Sequence, residues 1–328
     1  MKIGIAYDTP DMYDLGNENK LYFDFAELAS INILKQEIES LGYQVELLGN
    51  VDRIIQQIER GTFPCDLVYN TVEGLRSRNR EGLLPSLLEI CHIPYIGTDA
   101  FGLSLTLDKA MTKVLAKYLG ILTPDFYVAA PYLSEQDICA RLETLKYPVI
   151  LKPNFEGNSS GIMVCKTYEE ACLHVTNMLA KYQTAILCEE FIFGKEITVP
   201  MIGNGPEHML YGITTVDIQK SDDFWLDVNA KMFGDYHNVL LDLPRQLADQ
   251  YRAICVRLFM AIGFNDFARF DFRMTRDNQI FFIEVNPLPA LFRGGSFDIV
   301  GQQYGYTFAQ TLQKIIIEAC SRQAIPKI

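Results

Sequence analysis

The sequence predicts a mixed α/β fold, and three observations carry that expectation. Residues 1 to about 100 alternate strand-like and helix-like runs in a βαβ rhythm, which argues for a parallel sheet. A second block, residues 137–190, mixes helices with short apolar strands. Near the C-terminal end, Arg269-Phe270-Asp271 and Phe281-Phe282-Ile283-Glu284-Val285-Asn286-Pro287 read as strands, because aromatic and β-branched residues flank the polar ones.

In the first block, residues 2–7 form a strand and 25–41 are periodic enough for an amphipathic helix ended at Gly42. Strand 44–48, helix 51–60, strand 67–70 and helix 83–91 follow, and Tyr95-Ile96-Gly97-Thr98 closes the unit. No G-x-G-x-x-G follows Tyr7, which disfavours a dinucleotide site. Residues 104–120 form a helix carrying Asp108, Lys109 and Lys113, and Thr123-Pro124 breaks the pattern. Helix 137–145, strand 149–153, strand 162–165, helix 168–181 and strand 185–190 make the second block. Beyond Gly194 come strands, a long polar loop over 220–244, a helix over 245–262, the hairpin, and a closing helix over 307–319.

The turn-like run 275–279 joins the two late strands into a hairpin. Side chains alternate across a strand, so Glu284 and Asn286 share a face, and Asp271 can join them. Two carboxylates and a carboxamide offer hard oxygen ligands, which suits Mg²⁺. Arg269 lies on the same face as Asp271. A surface hairpin with solvated charges does not explain why polar residues interrupt such apolar strands.

Residues 154–161 form a small loop with a glycine at each end of Gly157 to Gly161. Such a loop can lay backbone N–H groups against phosphate oxygens, although no Gly-Lys-Ser/Thr makes it a Walker A loop. Lys152 precedes it on a strand, where a lysine is costly unless it meets an anion. Lys109 is open to the same reading or to that of a solvated helix cation. Glu189 and Glu196 stand at either end of a strand-to-strand connection. A backbone strip there can hydrogen-bond adenine, and a carboxylate can take ribose hydroxyls. Residues 76–82, Arg-Ser-Arg-Asn-Arg-Glu-Gly, are open between a solvated loop and a guanidinium cluster for a carboxylate or phosphate.

Composition narrows the function classes. The 328 residues are enough for two or three domains, and 49% hydrophobic with 21% charged residues is an ordinary globular balance. A net charge of −12 gives no basic footprint for nucleic acid. The first residues read as a strand opening rather than a signal peptide, and no apolar stretch approaches membrane-span length. The eight cysteines (65, 91, 139, 165, 172, 188, 255, 320) form no CxxC pair and read as reduced, mostly buried thiols of a cytoplasmic protein. The four histidines (92, 174, 208, 237) are not spaced as a zinc pair or triad, which speaks against histidine-based chemistry.

Taken in order, these pieces resemble the ATP-grasp superfamily, and specifically a divergent D-alanine:D-alanine ligase-like protein, over nearly the whole chain. The most specific segments are Ile96-Gly97-Thr98-Asp99 with Leu107-Asp108-Lys109-Ala110-Met111-Thr112-Lys113, then Lys152-Pro153 with Glu156, Gly157, Ser159 and Gly161, then Glu284-Val285-Asn286-Pro287. Asp227-Val228-Asn229-Ala230-Lys231 is similar to the family's mobile loop, with its D-x-x-A-K signature. The resemblance implies an N-terminal substrate unit over 1–103, a central subdomain over 104–192 and a C-terminal one over 193–328, with the nucleotide between the last two. It implies that Lys109, Lys152 and the glycine loop contact ATP phosphates and that Lys231 reaches the γ-phosphate. It also implies that Glu189, Phe191 and Ile192 line the adenine hinge and that Glu196 holds the ribose. By the same resemblance, Asp271, Glu284 and Asn286 are expected to bind two Mg²⁺ ions, with Mn²⁺ a substitute, and Arg269 to stabilise the anionic intermediate.

The substrate shell departs from the family pattern. The usual Ser-x-Glu-x-x-x-Ser loop, whose glutamate grips the first ammonium, is replaced by Phe23-Asp24-Phe25-Ala26-Glu27-Leu28-Ala29-Ser30. Asp24 and Glu27 both remain candidates for that glutamate. Asn70-Thr71 stands where a His-Gly is expected, Asn158 in place of a loop serine, Met232 in place of a tyrosine, and Ala290 in place of the glycine that donates to the oxyanion. The implied activity is an ATP-dependent carboxylate–amine ligase that forms an amide through an acyl phosphate. The alternatives are the same chemistry on another acid, amine or carrier-bound partner, and a non-catalytic nucleotide-binding module. Small amino-acid or carboxylic-acid substrates are the expected partners, and homodimerisation is open.

Overall fold

The computed structural model describes residues 1–13, 25, 27–75, 77–157, 161–207, 209–217 and 237–325. The positions expected at Asp24, Asn158, Ser159, Lys231 and Met232 lie outside these described residues, as does Arg76.

The first sheet is built from β1 (Lys2–Ala6), β2 (Gln44–Gly49), β3 (Leu67–Asn70) and β4 (Tyr95–Ile96), all parallel in the order β2-β1-β3-β4. Helices α1 (Leu28–Ser40), α2 (Val51–Glu59) and α3 (Leu83–Ile90) make its connections. The first helix starts at Leu28 rather than 25, and Gly42 follows its end with φ +89, as a C-terminal glycine should. The helix expected over 104–120 is two helices, α4 (Ala100–Leu107) and α5 (Lys109–Tyr118). Asp108 breaks them: its backbone is extended, and its carboxylate caps the second helix by accepting from the Met111 N–H.

The central sheet holds β5 (Phe126–Ala129), β6 (Val149–Pro153), β7 (Met163–Cys165) and β8 (Ile186–Glu190) in the antiparallel order β5-β8-β6-β7. Its helices are α6 (Glu135–Leu142) and α7 (Tyr168–Tyr182). These two helices carry Cys139 and Cys172, which are joined as a disulfide. This corrects the expectation that all eight cysteines are reduced. The partners sit on neighbouring helices 33 residues apart, so no CxxC spacing announces them.

The third sheet is antiparallel in the order β12-β11-β9-β13-β14, with β10 paired to β9. Its strands are β9 (Lys195–Ile202), β10 (Leu210–Tyr211), β11 (Thr214–Asp217), β12 (His237–Leu240), β13 (Phe267–Met274) and β14 (Ile280–Asn286). Strand β12 falls inside the stretch read as a polar loop over 220–244, a correction whose source is its pairing with β11. Helix α8 (Arg245–Ile262) buries Tyr251, Cys255, Leu258 and Phe259 against this sheet. Helices α9 (Ser296–Gln303), not anticipated from the sequence, and α10 (Phe308–Arg322) close the chain. The apolar face of α10 (Phe308, Leu312, Ile315, Ile316) packs with Ile3, Ile5 and Tyr69 of the first sheet. No helix among the described residues is long and apolar enough to cross a membrane.

Asp266 ties these layers together. It is fully buried and accepts from the Gly97 N–H (2.8 Å), Asn204 Nδ2 (3.1 Å), and Arg322 Nε (3.0 Å) and Nη2 (2.8 Å). Asp266→Ala would leave the Gly97 amide without its acceptor and the mostly buried Arg322 guanidinium without its carboxylate, although the guanidinium keeps the Tyr95 and Gly97 carbonyls. The expected loss is about 3 kcal/mol of stability, read from the urea midpoint; an unchanged midpoint would refute the clamp.

Candidate active site

The hairpin forms as the sequence predicts, with one refinement. Arg269 pairs with Asn286 and Asp271 with Glu284, but Phe272 then pairs with Phe282, so Ile283 is an extra residue on β14. This bulge reverses the alternation locally. Phe282 and Val285 can both enter the core with Phe270 and Phe272, while Glu284 and Asn286 turn to the opposite face with Arg269 and Asp271.

On that face Asp271 is the hub. Arg269 donates to it from Nε (3.2 Å to each oxygen) and Nη2 (2.9 Å), Asn286 from Nδ2 (2.9 Å) and Thr198 from its hydroxyl (3.0 Å). Burial lowers the Arg269 pKa, but Asp271 and, at longer range, Glu284 and Glu196 more than offset it and hold the guanidinium charged. Among the described residues no three of His, Cys, Asp and Glu cluster as a metal site. The donor set here is therefore two carboxylates and a carboxamide. The Asn286 nitrogen donates to Asp271, so its carbonyl oxygen is the atom that could serve a cation. Those are hard oxygens of the kind a divalent cation such as Mg²⁺ takes.

Three contacts hold the lysines. Lys109 opens α5, and its ammonium meets the Glu156 carbonyl of the glycine loop. Lys152 is buried on β6, with Nζ 2.5 Å from Glu189 Oε1. Lys113, fully buried, lies 2.8 Å from Glu189 Oε2. Burial pushes the Lys113 ammonium down to about 8 against the pull of Glu189. Burial also opposes the charge on Lys152, but Glu189 and Glu284 together raise it above the ordinary lysine value. Glu189 itself is held below the usual carboxylate range because the two lysines outweigh its burial.

At Glu189, expected on an adenine hinge through its backbone strip, the side chain is engaged elsewhere. Its carboxylate is turned inward between two lysines, because β6 and β8 pair so that Ile150 faces Glu189 and Lys152 lies diagonally across. Phe191 is buried and Ile192 half-buried just beyond it. The Arg273 guanidinium lies over the Phe191 ring (5.6 Å), donates to the Gly194 carbonyl (2.8 Å) and reaches Glu196 (3.5 Å).

A cavity of about 330 Å³ gathers many of the expected residues. Glu27, Asn70, Lys109, Gly157, Arg269, Glu284, Asn286 and Ala290 all line it. Of the two candidates for the missing substrate-loop glutamate, Glu27 is the one described, and it faces this space. Asp271 is not in the cavity wall but is bonded to Arg269 and Asn286, which are. Lys152, Glu156, Gly161, Glu189, Phe191, Ile192 and Glu196 are not in the cavity wall. Gly161 has φ +71, and a Cβ there would meet the Tyr182 hydroxyl at 2.6 Å, so the loop end requires glycine.

The described arginines of the run divide: Arg78 is mostly exposed and Arg80 is buried. Arg80 donates to the Phe155 carbonyl (2.6 Å), and Arg78 reaches Asp108 (3.4 Å) and covers the Phe155 ring (5.6 Å). These arginines serve the chain's own glycine loop.

Comparison with known proteins agrees with this geometry. Residues 115–317 match the model of the D-ala D-ala ligase C-terminus. A D-alanine–D-alanine ligase of Thermoanaerobacter sp. (strain X514) is 30% identical over 265 residues, 79% of this chain and 72% of that protein. A D-alanine–D-alanine ligase of Bordetella petrii is 26% identical over 99% of both chains. The chain belongs to the D-alanine–D-alanine ligase family. It is an ATP-dependent ligase that forms a C–N bond. In fold it matches the Bacillus anthracis D-alanine–D-alanine ligase solved with ATP, with a TM-score of 0.76 at 18% identity over 99% of both chains. It also matches the VanG D-Ala:D-Ser ligase of Enterococcus faecalis, with a TM-score of 0.73 at 18% identity over 97% of this chain and 99% of that one. The fold is ATP-grasp.

Sequence reasoning missed several residues of this ligase. Tyr69 on β3 and Glu73 after it reach the cavity, as do Thr71 and Glu81, which the sequence marks only as a departure from the family pattern and as part of the arginine-rich run. Asp8, buried at the end of β1, accepts from the Glu73 (3.1 Å) and Gly74 (2.8 Å) amides and from the Tyr13 hydroxyl (2.8 Å). Asn154 is buried next to Lys152-Pro153, the one sequence cue it had. Its Nδ2 donates to Asp108 (2.7 Å), its Oδ1 accepts from the Ala110 N–H (2.9 Å), and its carbonyl accepts from the Lys109 N–H (3.3 Å). Asn154 therefore locks the start of α5 to the glycine loop. Asn154→Ala removes both side-chain bonds and is expected to cost about 2–3 kcal/mol, read as a lowered melting temperature; an unchanged one would refute the lock.

Proposed function

We propose that this ligase joins two amino-acid-like substrates, the first reacting through its carboxylate and the second through its amine, by way of an acyl phosphate. The observation that carries the reading is the register of β13 and β14. It puts Arg269, Glu284 and Asn286 on the same cavity as Lys109 and Gly157.

The residues fit the groups this chemistry requires. Lys109, Lys152 and the amides of the glycine loop suit phosphate oxygens, and Lys231 joins them in this proposal. Asp271, Glu284 and Asn286 would hold Mg²⁺ or Mn²⁺, two ions in the family pattern, whose role is to neutralise charge on the transferred phosphoryl group. The backbone at Glu189, with Phe191, Ile192 and Glu196, would receive the adenosine end. Glu27 is placed to take the first ammonium. Arg269 and the backbone at Ala290 are placed to hold the oxyanion of the amide-forming step, aimed where charge develops. The glycine loop would cover the reacting groups and exclude the water that hydrolyses an acyl phosphate.

The division into 1–103, 104–192 and 193–328 is part of this proposal. One sheet falls in each, although α5 and α10 pack across the lines. We also place the reaction in the cytoplasm, on its need for ATP rather than on the cysteines. A homodimer is proposed through the exposed apolar side chains Ile90, Phe101, Val114 and Tyr118 of α3, α4 and α5.

Glu284→Gln tests the metal assignment. Turnover should fall at least about a hundredfold, because one lost carboxylate misplaces the phosphoryl group, while the circular dichroism spectrum stays unchanged. Near-wild-type ADP release at saturating Mg²⁺ would remove Glu284 from the metal site.

A second reading concerns which substrates are joined. The cavity has an apolar wall that includes Ile31, Leu34, Tyr69, Leu288 and Leu291, with Asn70 and Ala290 at the positions that differ from the family pattern. Met232 at the tyrosine position would remove another hydroxyl donor. A pocket with fewer fixed donors favours a larger, more apolar partner. D-Alanine alone is therefore expected to be a poor pair, and a mixed pair with one larger partner should give a higher kcat/KM. If D-alanine alone is best by tenfold, about 1.4 kcal/mol, the plain family specificity stands.

A further inference from the structure

Lys113 is a fully buried cation with no place in the chemistry so far. Taking an ammonium out of water costs several kcal/mol, so its partners indicate its use. It lies one helical turn after Lys109 on α5, so its side chain points in a similar direction. Its Nζ sits 2.8 Å from Glu189 Oε2 and 3.1 Å from the Thr123 hydroxyl. Thr123 donates in turn to the Phe282 carbonyl (2.8 Å) on β14, two residues before Glu284. Lys113 is thereby fixed between the central and C-terminal sheets.

Glu189 has two oxygens and two lysines, one on each, because Lys152 Nζ takes Oε1 at 2.5 Å. Among these three side chains one positive charge is left over, and Glu284 acts on both lysines as well. Consider the same site with Lys113 removed. Lys152 and Glu189 would form a closed neutral pair in a buried setting. For Lys152 to turn to a phosphate, it would have to strand a buried carboxylate, the costly case for a broken buried ion pair. With Lys113 present, Glu189 keeps a fixed partner when Lys152 moves.

We propose that Lys113 is a positioning residue that holds the Glu189 charge and so leaves Lys152 available to the phosphates of ATP. This rests on the reading of Lys152 as a phosphate contact. The ammonium of Lys113 does not itself need to touch the nucleotide. Thr123 keeps it on Glu189 by occupying another of its donors.

The experiment measures affinity for a non-hydrolysable ATP analogue with Mg²⁺ by calorimetry, with KM for ATP and for the amino-acid substrates alongside. Lys152→Ala is the control for the site: if its affinity equals wild type, the phosphate reading of Lys152 fails and takes this inference with it. Given a weakened Lys152→Ala, Lys113→Met should lose at least tenfold in analogue affinity and gain a similar factor in KM for ATP. KM for the amino acids should shift less than twofold. The double variant Lys113→Met/Glu189→Gln should recover to within about threefold of wild type, because a neutral amide no longer captures Lys152. A merely structural lysine would show no such recovery. Wild-type affinity in Lys113→Met, or a double variant as weak as the single, overturns the inference. If Lys113→Met does not fold, Thr123→Val takes its place. It keeps the shape and loses the tether, and should weaken analogue affinity about threefold or more with amino-acid KM unchanged; wild-type affinity there also overturns it.

Discussion

Strand β13 sits between β9 and β14, and its register is the constraint on which the site depends. Phe270 and Phe272 must enter the core formed with α8, so Arg269 and Asp271 face the other way. On β9 the same pairing sets Thr198 opposite Asp271 and Glu196 opposite Arg273. On β14 it sets Glu284 and Asn286 opposite Asp271 and Arg269. A slip of one residue would send every one of these groups to the wrong face. The core that prevents the slip is made of side chains that take no part in the chemistry. The bulge at Ile283 belongs to this arrangement, since without it Glu284 would share a face with Phe282.

The buried charges obey the same economy. Lys113, Lys152 and Glu189 come from α5, β6 and β8, and each would be strongly unfavourable alone in the interior. Together they leave a net positive charge close to Glu284, whose own charge raises Lys152. A fixed positive charge near a carboxylate-lined face is what a bound anion with divalent cations would meet. The first sheet supports this from the other side. Arg80 grips the glycine loop at Phe155, and Asp266 binds Gly97 and Arg322, so the cavity walls come from elements that are pinned to one another.

The residues that match the family pattern and those that depart from it separate in space. Residues that match the family pattern lie on strands and a helix start: Lys109, Lys152, Arg269, Asp271, Glu284, Asn286. Those that depart from it, Asn70 and Ala290, lie where strands give way to loops around the cavity, and Glu27 lies at the N-terminus of α1. Loops tolerate change that paired strands do not, so one reaction can serve different substrates on this scaffold.

The sequence by itself determined what is local. Alternating aromatic and polar residues made the hairpin legible, with its turn and with the oxygen-rich set on one face. A helix over 245–262 was readable to the residue from its periodicity. The glycine loop after Lys152 was legible because glycine and a strand lysine carry their meaning within a few residues. Tertiary structure decided everything that depends on partners distant in the chain: the inward turn of Glu189, the burial of Lys113, the Cys139–Cys172 pairing, the break at Asp108 stabilised from Asn154, and the arginines spent on Phe155. A charged residue reads alike in sequence whether it meets water or an opposite charge. Its energy is set only when separate sheets close around it and remove the solvent, and that event has no signature in a window of neighbouring residues.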